Sequence, residues 1–262
     1  MSGFDMHWLA LREPVDRRSR DPVLQDLVTQ FLDEAAAPAI VDIGCGTGST
    51  YRALQPQLCK TATWTLFDHD DRLLTEARRR HPQAGITFVR GDLNDISSLP
   101  LIGATLVTAS ALFDLCSPAF TDRFVDELRQ KGMGLYAALN YDGDMHWSLG
   151  HPLDRSVRDA FNAHQLGDKG FGPSAGPQAW RHLGRRLEEH GYDVMVAASP
   201  WRMGEGDAEL QHLFLDGIFE ALAGGPLLSM DDLREWYAFR LGAVSAPESS
   251  CVVGHRDVLA LL

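Results

Sequence analysis

The sequence predicts an α/β fold built on a doubly wound, mostly parallel sheet, and three observations carry that expectation. Short β-branched or apolar runs alternate with helical patterns from about residue 38 to 139. Each run stops at a polar or small residue. The first run opens into a glycine-rich turn and then a helix, the context in which such a turn carries meaning.

The strands are expected over residues 39–43, 63–67, 86–89, 104–109 and 134–139. Between them, residues 70–81 have an acidic first turn and a basic last turn that suit the helix dipole, and Pro82 follows as a stop. Residues 118–131 repeat the design, with Phe120, Phe124, Val125 and Leu128 on one face and Gly132 as the end. Asp21 and Pro22 open an earlier helix that runs to Glu34. After Asn140 the pattern changes. Residues 141–177 are rich in Gly, Pro, Asp and His and read as a long loop with a short helical patch at 153–161. A helix at 178–190, a strand at 192–198, helices at 205–223 and from Ser229, and a final strand at 250–262 complete the chain.

Composition narrows the function. The chain has 262 residues, 45% hydrophobic and 23% charged, within the range of soluble globular proteins. Its 24 Lys and Arg against 36 Asp and Glu give a net charge of −12, which argues against nucleic acid or anionic lipid as a partner. No apolar run is long enough to cross a bilayer, and the first residues lack the features of a signal peptide, so a cytoplasmic protein is expected. Cys45, Cys59, Cys116 and Cys251 lie far apart, and no His pair has metal-ligand spacing, so neither a disulfide framework nor a metal site is expected.

The strongest motif is Val41-Asp42-Ile43-Gly44-Cys45-Gly46-Thr47-Gly48-Ser49. Its glycines alternate, whereas the dinucleotide fingerprint would need a glycine where Ser49 stands. This segment resembles the cofactor loop of class I S-adenosylmethionine-dependent methyltransferases, whose first motif is an acidic residue followed by alternating glycines. The resemblance implies a Rossmann-like, mostly parallel seven-stranded sheet with an antiparallel last strand. It also implies S-adenosylmethionine as cofactor.

Asp68, at the end of the second strand, matches the family's carboxylate on the ribose hydroxyls, and Asp92 matches the residue that accepts from the adenine amino group. Leu93 would offer its N–H and an apolar edge to the ring. The cofactor set implied is thus Asp42, Gly44, Cys45, Gly46, Gly48, Asp68, His69, Asp92, Leu93 and Ser110. Asp114, just past the fourth strand, and His146, in the loop with His151, His164 and Lys169, are the candidate catalytic groups. Phe171 and Trp201 are candidate pocket walls, and residues 6–12 a candidate lid, although Trp8 reads more readily as core. Arg12, Arg17, Arg18 and Arg20 read as a solvated face.

The function expected is methyl transfer to a small-molecule acceptor, producing S-adenosylhomocysteine. An NAD(P)-dependent oxidoreductase and a non-catalytic S-adenosylmethionine-binding protein are the alternatives. One domain is expected, divided into an N-terminal helical cap at 1–35, a cofactor core at 36–140, a substrate loop at 141–177 and C-terminal elements at 178–262. The late helices carry enough apolar residues for a homodimer.

Overall fold

A computed structural model describes residues 5–82 and 85–262. Its sheet floor comprises β1 (Ala39–Ile43), β2 (Thr63–Asp68), β3 (Ile86–Arg90), β4 (Leu106–Ser110) and β5 (Gly134–Trp147). These strands lie in the order β3-β2-β1-β4-β5, every neighbour parallel. Crossing from β1 to β4 reverses the direction in which the sheet is wound, and open α/β sheets hold ligands at such a reversal.

The other half of the sheet is antiparallel. Strand β8 (Cys251–Leu261) inserts between β5 and β6 (Asp193–Ala198) and runs against both. A short β7 (Trp201–Met203), which the sequence pattern does not foretell, pairs with the start of β8.

Helices cover both faces for the reasons expected. In α2 (Pro22–Glu34), the Asp21 side chain accepts from Leu24 N at 2.9 Å, and Leu24, Val28 and Leu32 face the sheet. With α4 (Asp71–Arg80) they bury one face of the strands around Ile40, Trp64 and Leu66. The opposite face meets α5 (Pro118–Lys131) and α7 (Ala179–Glu189) through Phe120, Phe124, Leu128, Leu183 and Leu187. Ser117 caps α5 by accepting from Phe120 N at 3.1 Å, and Gly132 ends it at φ +67°.

One expectation needs correction. Residues 141–147 are not loop: β5 continues through them, with bulges between Ala137 and Asn140 and between Tyr141 and Met145. The glycine, aspartate and histidine content that reads as loop instead serves an irregular strand that rises beyond the other strand tips. Within the N-terminal stretch expected as a helical cap, residues 6–19 form α1 (Met6–Ser19), capped by Asp5 and containing Pro14.

This extended ribbon and α1 join α6 (Asp154–Gln165), α8 (Ala208–Leu222) and α9 (Met230–Val244) in a separate hydrophobic cluster that includes Tyr141, Trp147, Trp201, Leu215 and Trp236. The cluster forms a cap beside the C-terminal strand tips. Among the described residues no helix is long and apolar enough to cross a membrane.

Candidate functional site

The glycine turn after β1 is built to bring backbone close to something. Gly44 and Gly46 hold φ of +62° and +56°, values that side chains resist. Gly48, at +83°, starts α3 (Ser49–Leu54), and a Cβ there would lie 3.2 Å from His81 Nε2 and 3.3 Å from Leu66. Asp68 then ties the turn to the next strand. Its Oδ2 accepts from Gly46 N at 2.8 Å and its Oδ1 from Asp70 N at 2.9 Å. The carboxylate is therefore fixed before any ligand arrives, with its remaining lone pairs available at the cleft.

At the third strand tip, a Cβ on Gly91 would lie 2.6 Å from the Phe67 ring, so only glycine lets the chain pass. The following Asp92 is exposed and accepts from Asn94 N at 2.9 Å and from its Nδ2 at 3.1 Å. At the fourth tip, Ala111 adopts φ +50°, an uncommon conformation for a residue with a Cβ, while its N–H donates to Ala138 O at 2.9 Å.

Together these tips floor a cleft of about 720 Å³, lined among others by Gly44, Gly46, Asp68, His69, Asp92, Leu93 and Ser110. Leu9 and Arg12 of α1 form one upper wall, and Lys169, Gly170 and Phe171 another.

Not every expected residue reaches this cleft. Asp42 lies under it, 1% exposed: its Oδ1 accepts from Thr108 Oγ1 at 2.8 Å while Oδ2 is sealed without a partner. Burial pushes its carboxyl up to about 7, against the opposing pull of the Thr108 hydrogen bond and the Arg20 guanidinium. The strand's alternation turns Asp42 inward while the glycines that follow face out. Cys45 is likewise buried, and burial raises its thiol well above the usual range, which argues against a thiolate nucleophile. Gly48 serves the α3 turn and not the cleft wall.

Neither catalytic candidate lines the cleft itself. His146 is exposed on the extended part of β5, opposite Val252, and does not line the cleft, because the bulged strand carries it into the cap region. Asp114 does not line the cleft either, although its chain neighbours Leu112 and Leu115 do. Its Oδ1 is sealed and unpartnered, and burial pushes its carboxyl up to about 6, opposed in part by the nearby Arg12 charge. Of the wall candidates, Phe171 lines the cleft and packs on Phe120 with centroids 4.9 Å apart. Trp201 is core: it is 3% exposed, packs at a tilt against His255 and Trp8, and donates from Nε1 to Asp16.

The solvated-arginine reading fails for two residues. Arg12 pairs with Asp16 at 2.8 Å beneath Trp201, and Arg20 is 3% exposed, donating to Ser110 Oγ at 3.1 Å and Thr50 Oγ1 at 3.4 Å. One connection escapes sequence reasoning altogether. Arg52 on α3 donates to Thr47 O at 2.6 Å and clasps Glu13 of α1 at 2.5 and 2.7 Å, so the glycine turn and the N-terminal helix are held to each other. The charge pattern gives no hint of it, because the partners lie 39 residues apart.

The fold and cleft define an α/β protein with an open cleft at the switch in strand order. Residues 40–131 match the family described as "Methyltransferase domain". Solved structures share the fold. A cyclopropane-fatty-acyl-phospholipid synthase-like protein from Lactobacillus casei aligns at 12% identity over 97% of this chain and 92% of that one, with a TM-score of 0.60. A S-adenosylmethionine-dependent methyltransferase from Geobacter sulfurreducens, in complex with S-adenosylhomocysteine, aligns at 13% identity over 97% and 98%, with a TM-score of 0.50. The cyclopropane synthase MmaA2 from Mycobacterium tuberculosis aligns at 12% over 91% and 83%, also at 0.50. No curated protein matches the sequence. Residues 40–131 thus match a methyltransferase domain, and over the rest of the chain these solved structures show the same fold.

Proposed function

We propose that the protein transfers the methyl group of S-adenosylmethionine to a small-molecule acceptor, with the cofactor held by Gly44, Gly46, Asp68, His69, Asp92, Leu93 and Ser110. The observation that carries this reading is one cleft in which the family's carboxylate positions and its glycine turn meet beneath two walls drawn from outside the matched segment.

The residues present fit the cofactor. Asp68, already oriented by Gly46 N and Asp70 N, suits a pair of ribose hydroxyls, because a carboxylate accepts several bonds at once. Asp92 and the buried Leu93 suit the polar edge and flat face of a base. When bound, the cofactor supplies a methyl group on a positively charged sulfur. The chain must align an acceptor with it and exclude water, and positioning alone is worth roughly 7–11 kcal/mol. Leu9, Leu112, Leu115 and Phe171 provide an apolar enclosure for that purpose. Asp114, whose sealed oxygen lacks a partner, is proposed to take the proton of an acceptor that carries one.

A macromolecular acceptor is the less favoured reading, since the walls enclose the cleft and the chain is strongly acidic. The experiment is incorporation of labelled methyl into a low-molecular-mass cell extract, with calorimetric titration of S-adenosylhomocysteine alongside. Labelling that rises as pH passes through about 6, and that Asp114→Asn abolishes without loss of cofactor binding, is the expected result. Tight binding with no acceptor labelled would favour a non-catalytic binder, and label confined to protein or nucleic acid would overturn the small-molecule assignment.

A further inference from the structure

The charged side chains around the cleft are unequally satisfied. Asp68 is held by two backbone donors, and Asp92 by Asn94. Arg12 is neutralised by Asp16 at 2.8 Å, and Arg90 donates to His69 O at 3.2 Å. Lys169 differs: among the described residues its ammonium has neither a hydrogen bond nor a carboxylate within salt-bridge distance, although it is half-buried and lines the cleft. In a chain with 36 carboxylates and 24 Lys and Arg, a partly desolvated lysine without a counter-charge is the exception that needs a reason.

The backbone that carries Lys169 is preorganised. Asp168 Oδ1 accepts from Gly170 N at 2.7 Å and Gly172 N at 3.0 Å, Asn94 Nδ2 donates to Gly170 O at 3.0 Å, and Phe171 is seated on Phe120. The lysine is thus presented on a rigid wall and not on a loose loop. Burial holds its ammonium below the usual lysine range, and its charge helps lower the neighbouring His164. Filling the floor of the cleft would remove more water from the ammonium and increase the cost of leaving it unpaired.

We infer that the methyl acceptor is an anion, and that Lys169 receives its negatively charged group. The inference rests on the transfer reading above and specifies the acceptor for that same cleft. A carboxylate and a phosphate monoester share the chemistry required, a compact anion that takes a charge-assisted hydrogen bond from an ammonium.

The test begins with a low-molecular-mass extract divided on an anion-exchange resin into retained and unretained pools. Each pool is incubated with labelled S-adenosylmethionine and the wild-type, Lys169→Met or Lys169→Arg protein, and S-adenosylhomocysteine affinity is measured by calorimetry for all three. The expected result is label in the retained pool alone. Lys169→Met should raise the acceptor concentration needed for half-maximal labelling roughly tenfold or more, the size of a lost charge-assisted bond. Lys169→Arg should recover most of that loss, with cofactor affinity the same in all three. Competition of the retained pool's labelling by benzoate or by phenyl phosphate then identifies which anion is read. Label in the unretained pool, or equal labelling by Lys169→Met, overturns the inference while leaving the transfer reading intact. A fall in S-adenosylhomocysteine affinity for Lys169→Met overturns it by assigning the lysine to the cofactor. Absence of label in both pools overturns the transfer reading and the inference with it.

Discussion

The floor of the cleft and the cap above it are assembled from chain segments at very different separations. In the floor, β1 pairs with β2, β2 with β3 and β4 with β5, each the next strand in the chain, and the one step back is β4 beside β1. In the cap, Trp201 reaches Asp16 across 185 residues, Trp236 reaches Asp154 across 82, and the ribbon that carries Tyr141 pairs with His255. The floor supplies the glycine turn and the carboxylates, the cap supplies the wall of Leu9 and Arg12, and the wall of Phe171 leans on the floor's own helix α5 through Phe120. A fold can keep its cofactor chemistry fixed while the acceptor side varies, because the two are built from different stretches of chain.

The cap's own core offers the largest effect with which to break this division. Trp236 is fully buried, packs edge-on against Trp147 with centroids 5.7 Å apart and donates from Nε1 to Asp154 at 2.8 Å. Trp236→Ala should destabilise the protein by about 3–5 kcal/mol, as large aromatic truncations do. If floor and cap are separable, the variant still binds S-adenosylhomocysteine at low temperature but transfers little methyl, because the walls loosen. Thermal unfolding and calorimetry would decide, and complete loss of cofactor binding would show that the floor does not stand without its cap.

Next in size is an effect at the joint between the two regions, where Arg20, at the end of α1, meets the buried Asp42. The Asp42 carboxyl is raised to about 7 in the folded protein, chiefly by burial. In the unfolded chain it titrates near 4. Between those values the native state holds a proton that the unfolded state has released, so this group lowers stability as pH rises from about 4 to 7, and its penalty is complete above 7. Asp42→Asn should therefore gain stability over the wild type at pH 8, on the order of 2–4 kcal/mol at most, and gain almost nothing at pH 4. Parallel pH profiles of the thermal midpoint for the two proteins would show that Asp42 does not carry a buried charge.

What could be read from the sequence follows the same division. The helix over 70–81, the cap at Asp21 and the strand ends at Asp68 and Asp92 depend on neighbours a few residues away, and periodicity and capping report such neighbours directly. His146 reads as loop for the opposite reason. Its position depends on bulges in β5 that are set by pairing with β8, more than 100 residues later, and Gly143 and Asp144 look like turn residues until that partner is known. The N-terminal helix shows the same limit, since Arg12 and Arg20 become buried only through Asp16, Trp201 and Ser110, none of which their own pattern predicts. A charged stretch with remote partners cannot be told from a solvated face by spacing alone.

Asp68 sharpens the comparison from the floor side, with the smallest expected effect on stability and a specific one on binding. Its carboxylate accepts from Gly46 N and Asp70 N and lines the cleft, so Asp68→Ala removes both the anchor of the glycine turn and the acceptor offered to a ribose. The loss in S-adenosylhomocysteine affinity should be roughly 1.5–3 kcal/mol, the value of a charge-assisted hydrogen bond. Asp68→Asn separates the two roles: its side-chain oxygen can still accept from one backbone N–H, which keeps the turn in place, while the charge and one acceptor are lost. If Asp68 acts directly on the ligand, the asparagine variant melts close to the wild type and still binds several-fold more weakly. If it acts only by bracing the turn, affinity returns with the asparagine. Calorimetry with adenosine and with S-adenosylhomocysteine completes the test, because a ribose contact costs both ligands equally, whereas a displaced glycine turn would penalise the longer one more.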